Sequence, residues 1–327
     1  MAVKMILDCD TGVDDAMAIM YAALHPDVEL LAATTVWGNV EVPLATRNTL
    51  RVLDLVGRGD VPVAEGAAGP IAGGPAEYAY DVHGRDGQGG AADHEPVRAA
   101  APVGAAQQIV DLVRAHPGEV WIVPVGPLTN IAAALAIAPE LPGLVAGVSL
   151  MGGAALAPGN VTPVAEANIW HDAEAAAAVF RAPWRIVMAG LDVTMKILIT
   201  EEHRARLAAA GEAGRYLARI LEHYGEFYRE RAFGTWACAM HDTVAVAAAA
   251  GALDVRLAPV VHVEVDTSGG PGHGQTIADL RGVYRGYPEQ AGAHCSVLLD
   301  VDGRIADEAV ELIVAHGAPR AGSGVGR

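Results

Sequence analysis

The chain has 327 residues, with 39 acidic side chains against 22 basic ones and a formal net charge of -17. Hydrophobic residues make up 52% and charged residues 19%, so the chain is globular rather than disordered, and its length suits one large domain or two small ones. The acidic balance argues against nucleic acid or an anionic membrane surface as partner, since both are bound by clustered Lys and Arg.

Lys4–Asp8 reads as a short apolar strand ending in acids, and Thr11–Gly12 breaks it. Asp14–Leu24 has helical spacing, with Ala16, Ile19, Met20 and Ala23 on one face. Asp14 and Asp15 fall in its first turn, where the helix dipole favours negative charge. Glu29–Val36 reads as a buried strand, Val42–Val56 as a helix and Val61–Val63 as a short strand. His83–Glu95 is polar and rich in glycine, and a loop of that length in a compact domain is usually a lid or disordered. Ala99–Ala115 reads as a helix, Val120–Pro124 as a strand, Asn130–Ala138 as a helix and Leu144–Met151 as a strand. Asp172–Phe180 follows as a helix, Arg185–Ala189 as a strand, and Glu201–Ala210, Arg215–Glu230 and Asp242–Ala250 as helices. Pro259–Val265 and Ala293–Asp300 read as late strands, Ile305–His316 as a last helix and Ala318–Arg327 as a disordered tail.

This alternation predicts an α/β fold: an open, mostly parallel, Rossmann-like sheet with helices on both faces, in one domain over residues 1–317. Cys9, Cys238 and Cys295 show no CxxC spacing, which predicts reduced thiols and a cytoplasmic protein. Neither a signal segment nor a membrane helix is expected.

In open α/β sheets ligands bind beyond the carboxyl ends of the strands. The first strand ends in Asp8-Cys9-Asp10, and Asp14-Asp15 follows across a tight turn. One such acid is an ordinary helix cap. Four within eight residues repel unless a cation sits among them, and oxygen ligands select Mg²⁺, Ca²⁺ or Mn²⁺. An EF-hand is excluded, because counting from Asp8 its closing Glu falls at Ile19. After Met151 a long loop carries Asn160, Glu166 and Asn168, a set that suits a polyhydroxylated ligand such as a sugar. His241-Asp242 precedes an apolar helix, with Asp242 at the N-cap.

The run Asp8-Cys9-Asp10-Thr11-Gly12-Val13-Asp14-Asp15-Ala16 resembles the N-terminal signature of the inosine-uridine preferring nucleoside hydrolases. The resemblance continues through Thr35–Asn39, Gly126–Asn130, Met151–Gly153, Gly159–Pro163, Ala165–Asn168 and His241–Asp242. It implies the nucleoside hydrolase fold and Ca²⁺-dependent hydrolysis of ribonucleosides of the inosine or uridine type to base and ribose. By the same resemblance, the carboxylates of Asp10, Asp15 and Asp242 and the carbonyl of Val125 hold the ion. Asp10 matches the general base and His241 a residue assisting departure of the nucleobase. Asp14, Asn39, Met151, Asn160, Glu166 and Asn168 match residues around the ribose, and His83, Tyr224 and Tyr228 fall near the base. Relatives are commonly homodimers or homotetramers.

Two departures bear on base preference: Met195-Lys196 follows Thr194 where His is common, and Gln88 stands where Leu is usual. Two rival readings remain open on sequence. The Asp8-Cys9-Asp10-Thr11 start also resembles the DxDxT motif of haloacid-dehalogenase-type Mg²⁺ phosphatases. A non-catalytic nucleoside binder would keep much the same pocket.

Overall fold

A computed structural model describes residues 2–317 apart from residue 94; the expected tail beyond residue 317 lies outside the described residues. Eight strands form the central sheet. Six of them are β1 (Val3–Cys9), β2 (Val28–Thr35), β3 (Val63–Glu65), β4 (Val120–Pro124), β5 (Gly147–Met151) and β6 (Ile186–Ala189). Across the sheet the order is Val260–Val261, Cys295–Val297, β6, β5, β4, β1, β2, β3. Every pairing is parallel except that of the edge strand Val260–Val261 with Cys295–Val297.

β1 is buried from Met5 to Cys9, with Met5–Leu7 apolar, because both of its faces are covered there, as parallel sheets require. On one face a core joins helix α1 (Val13–Leu24) to the helices Glu212–Tyr228, Asp242–Ala250 and Ile305–His316. On the other, Ala105–Ala115, Thr129–Ile137 and Ala173–Arg181 build a second core. From β1 the chain winds outward through β2 and β3, then returns to start β4 on the opposite side of β1. That reversal opens a crevice between the carboxyl ends of β1 and β4, the usual ligand position in such sheets.

The fold is the α/β sheet expected from the sequence, with local differences. The helix expected from Ala99 starts at Ala105, because Pro102 and Gly104 interrupt it. Ala101 instead donates its N–H to the Val63 carbonyl beside β3. Pro259–Val265 is two pieces: Val260–Val261 joins the sheet edge, and Val263–Val265 pairs with Thr276–Ala278 in a separate hairpin. β5 starts at Gly147 rather than Leu144, since a 3₁₀ turn occupies Leu141–Gly143. The helix expected at Arg215–Glu230 spans Glu212–Tyr228, then widens into a π turn over Arg229–Phe233. Among the described residues no helix is long and apolar enough to cross a membrane.

Candidate active site

The carboxyl ends of β1, β2, β4 and β5 lie side by side, and each contributes to one acidic site. Asp10 directly follows β1; Asp14 and Asp15 open α1. Asn39 lies on the turn after β2, Val125 directly after β4, and Met151 ends β5. Asp242 starts the helix Asp242–Ala250, which packs between α1 and β5.

Asp10, Asp15, Asp242 and Glu166 are all at most 2% exposed. Asp10 accepts hydrogen bonds from the Asn39 backbone N–H (2.7 Å) and from Asn39 Nδ2 (3.1 Å). The same Nδ2 donates to Asp15 at 3.0 Å, so one amide bridges two carboxylates. Asp15 also accepts from the N–H groups of Gly12 (2.8 Å) and Asp10 (3.2 Å). Two glycines are required here by close approach. A Cβ on Gly38 would lie 2.1 Å from Asp10 Oδ2, and one on Gly126 would lie 3.0 Å from Asp10 Oδ1.

Glu166 caps the short helix Ala167–His171 and accepts from the N–H groups of Gly153 (2.8 Å), Asn168 (2.9 Å) and Ile169 (3.2 Å). Asn168 Nδ2 donates to the carbonyls of Val125 (3.0 Å) and Met151 (3.1 Å), tying β4 to β5 at the crevice. Tyr224 donates its hydroxyl to Asp14 Oδ2 at 2.9 Å, whereas Asp14 Oδ1 has no hydrogen-bond partner. His241 spans Tyr228 (Nε2 to hydroxyl, 2.6 Å) and Thr194 (Nδ1 to Oγ1, 2.8 Å). His83 stacks on Tyr224 with ring centres 5.4 Å apart, and Tyr224 meets Tyr228 edge-on at 5.0 Å.

The electrostatics are one-sided. Burial and then neighbouring charge push every one of these acids up: Asp15 by burial and Asp14 to about 7, Glu166 by burial to about 7, and Asp10 and Asp242 well above the carboxylate range. Among the described residues no Lys or Arg pairs with them. A cluster of acceptors with an orphaned oxygen and no internal cation suits a hard metal ion. Among the described residues, oxygens of Asp14, Asp15 and Asp242 lie within 4.8 Å of one another. Asp10 lies next to Asp15 but spends both its oxygens on Asn39.

Burial disfavours the charged form of both His83 and His241. Burial lowers His83 to about 3, and burial lowers His241 although Asp14 opposes it. His83 Nδ1 is 3.8 Å from Asp14 Oδ1, a separation that suits an ion pair. We read the contact as uncharged, because Nδ1 already accepts the Val13 N–H at 3.2 Å and so carries no proton.

The structure thus brings together Asp10, Asp14, Asp15, Asn39, Val125, Met151, Glu166, Asn168 and Asp242, with His83, Tyr224, Tyr228 and His241 along one side. Asn160 stands apart. It is exposed, and its Oδ1 accepts the Ala167 N–H at 3.0 Å. It lines an open cavity of about 450 Å³ with Leu156, Leu191, Met195, Lys196 and Leu299, which holds none of the clustered acids. Sequence reasoning missed Thr194, which fixes His241, and Asn130, whose Nδ2 donates to Asp8 at 2.8 Å and to the Thr35 carbonyl at 2.8 Å. Neither carries a charge or a metal-ligand spacing that would single it out.

Comparison with known proteins agrees with this geometry. The family model for inosine-uridine preferring nucleoside hydrolases matches residues 5–307. A probable uridine nucleosidase of Arabidopsis thaliana is 38% identical over 248 residues, 75% of this chain and 77% of its own. The inosine-uridine preferring nucleoside hydrolase of Leishmania major is 37% identical over 303 residues, 91% of this chain and 93% of its own. The solved structure of a purine-preferring ribonucleoside hydrolase from Gardnerella vaginalis superposes with a TM-score of 0.88 at 33% identity, covering 96% of this chain and 99% of that one. The phosphatase reading falls with this match, and the chain belongs to the inosine-uridine preferring nucleoside hydrolase family.

Proposed function

We propose that this nucleoside hydrolase cleaves inosine- or uridine-type ribonucleosides in a Ca²⁺-dependent reaction. The observation that carries the reading is the group of buried carboxylates without a cationic partner. The ligands in this reading are the carboxylates of Asp10, Asp15 and Asp242 and the carbonyl of Val125. Calcium there would offset their charge, lower the pKa of a water it binds, and orient that water beside the sugar.

The chain's own residues supply the rest. Asp10 takes the proton of the attacking water, and its burial makes it a stronger base than a free carboxylate. Asp14, Asn39, Glu166 and Asn168 hold the ribose, with Met151 at its margin. Cleavage of an N-glycosidic bond builds positive charge at C1′ and O4′, and the surrounding acids stabilise it as it forms. Water arriving opposite the base inverts the anomeric carbon. His83 and Tyr224 offer a stacking surface to the base, and His241 with Tyr228 delivers the proton that the leaving base needs. A cytoplasmic homodimer or homotetramer is the expected setting.

The test is a nucleoside panel read by chromatography for free base, with and without a calcium chelator. Release that stops on chelation and returns with Ca²⁺ supports the reading; full activity in chelator removes the metal from it. Asp10→Ala should abolish turnover. His241→Ala should slow natural nucleosides far more than a p-nitrophenyl riboside, whose leaving group needs no proton. Tight nucleoside binding without turnover would instead favour the non-catalytic reading. A variant of the metal assignment has Asp14 in place of Asp10 as a ligand, favoured by the close grouping of Asp14, Asp15 and Asp242.

A further inference from the structure

The turn that carries Asp10, Asp14 and Asp15 exposes two backbone carbonyls on its outer side, those of Thr11 and Gly12. Two buried side-chain amides take them. Asn48, on helix α2 (Val42–Leu55), donates Nδ2 to the Thr11 carbonyl (3.1 Å) and to the Asp86 carbonyl (2.9 Å). Gln88 donates Nε2 to the Gly12 carbonyl (2.7 Å) and to the Gly87 carbonyl (2.7 Å). Each amide therefore joins the carboxylate turn to the glycine-rich segment 84–92. The orientation of each is fixed from behind. Arg51 Nη1 donates to Asn48 Oδ1 at 2.6 Å, and the Tyr216 hydroxyl donates to Gln88 Oε1 at 2.8 Å. Gln88 and Asn48 are fully buried, and Arg51 and Tyr216 are each 2% exposed.

The segment also rests on the helix Glu212–Tyr228, where the Gly89 backbone lies close against Ile220 and His223, and Ala91 packs on the core. Asp86 organises it internally, accepting from the N–H groups of Gln88 (2.9 Å), Gly90 (2.9 Å) and Ala92 (3.0 Å). Gly87 has φ +71°, and a Cβ there would sit 2.8 Å from Asn48 Nδ2, so no side chain of its own packs at the joint. The residue just before the segment is His83, which rests against Val13 and Asp14. Moving the segment therefore uncovers the edge of the acidic site.

We propose that Gln88 is a positioning residue: with Asn48 it clasps the 84–92 segment onto the carboxylate turn, and releasing its bond to the Gly12 carbonyl is the step that opens the site. Substrate affinity then depends on the fraction of molecules with the clasp made. The kinetic part of this inference rests on nucleosides being the substrate; the exchange part does not.

The test compares Gln88→Leu, Gln88→Glu and Tyr216→Phe in the full chain. Hydrogen exchange is followed across residues 84–92, and KM and kcat are measured on the best nucleoside of the panel. Loss of the amide should speed exchange in the segment by about tenfold or more and raise KM by a similar factor, with kcat within about twofold. Gln88→Glu should be worse than Gln88→Leu, because a carboxylate of the same shape faces the two carbonyls it should donate to. A purely space-filling role predicts the reverse order, since Glu is the better shape match. Tyr216→Phe removes only the hydroxyl and should give the same KM-selective effect at smaller size. Unchanged exchange and KM in all three variants, or losses confined to kcat, would overturn the proposal. If no nucleoside is turned over, faster segment exchange still supports the clasp and unchanged exchange still refutes it.

Discussion

Asn39→Ala isolates one amide nitrogen that serves two carboxylates. The backbone N–H of Asn39 still reaches Asp10, so only the bonds from Nδ2 to Asp10 Oδ1 (3.1 Å) and Asp15 Oδ2 (3.0 Å) are lost. Hydrogen bonds to charged groups contribute about 1.5–3 kcal/mol each. The two share one donor and are not additive, so about 2–4 kcal/mol is the sensible span. If that support is kept in the transition state, kcat/KM falls by roughly 30- to 1000-fold. The assay is steady-state hydrolysis at saturating Ca²⁺, paired with calorimetric Ca²⁺ binding. Because both acids become harder to bury, the thermal midpoint of the variant should drop more in chelator than in Ca²⁺. A loss in kcat/KM smaller than about threefold, with Ca²⁺ affinity unchanged, would refute the claim that Asn39 supports the charged forms of Asp10 and Asp15.

Three further outcomes are expected. Gly38→Ala drives a methyl group to 2.1 Å from Asp10 Oδ2, so activity should vanish while circular dichroism remains native-like; a fully active variant would mean the turn has slack that the structure lacks. His83 is held at about 3 against an ordinary 6.5, so the unfolded chain takes up its proton first as pH falls. Its contribution is intact above pH 6.5 and lost between 6.5 and 3, reaching about 1.4 kcal/mol at pH 5.5. Urea titrations at pH 7.5 and 5.5 should show that much less acid sensitivity in His83→Asn than in the parent; equal slopes would show that His83 titrates normally. Finally, Asp10→Asn should weaken Ca²⁺ binding by at least about tenfold and Asp14→Asn by under about threefold, and the opposite order hands the ligand role to Asp14.

Much of the architecture was legible because the hydrophobic runs are long and their ends are chemically marked. β1 could be read from the apolar run Met5–Leu7 followed by acids, and α1 from its spacing. The errors lie where local and tertiary signals compete. Ala99-Ala100-Ala101 has strong helix propensity, but Pro102 and the pairing of Ala101 with Val63 keep it extended. The strands Leu198–Thr200 and Ala237–Ala239 went unread because each is three residues long and gains its meaning only by pairing with the other. In the site, acids clustered in sequence announced themselves. Asn48 and Tyr216 did not, and Gln88 showed only as a departure from the usual Leu, since the bonds from Asn48 to Thr11 and from Tyr216 to Gln88 span 37 and 128 positions and no spacing rule connects them.

The crevice between β1 and β4 also sets an order of assembly. Lys4 of β1 pairs with Val120 of β4, so the central pairing waits for more than a third of the chain. Asp242 arrives after almost three quarters of it. Non-local pairings of this kind form slowly. During synthesis Asp10, Asp14 and Asp15 emerge early and stay solvated and mutually repelling, since the remaining walls of their site do not yet exist. The chemistry encoded in the first fifteen residues is therefore silent until the last quarter of the chain is being made, and a ribosome-bound or truncated chain ending before Asp242 should neither hold the ion nor act on a nucleoside.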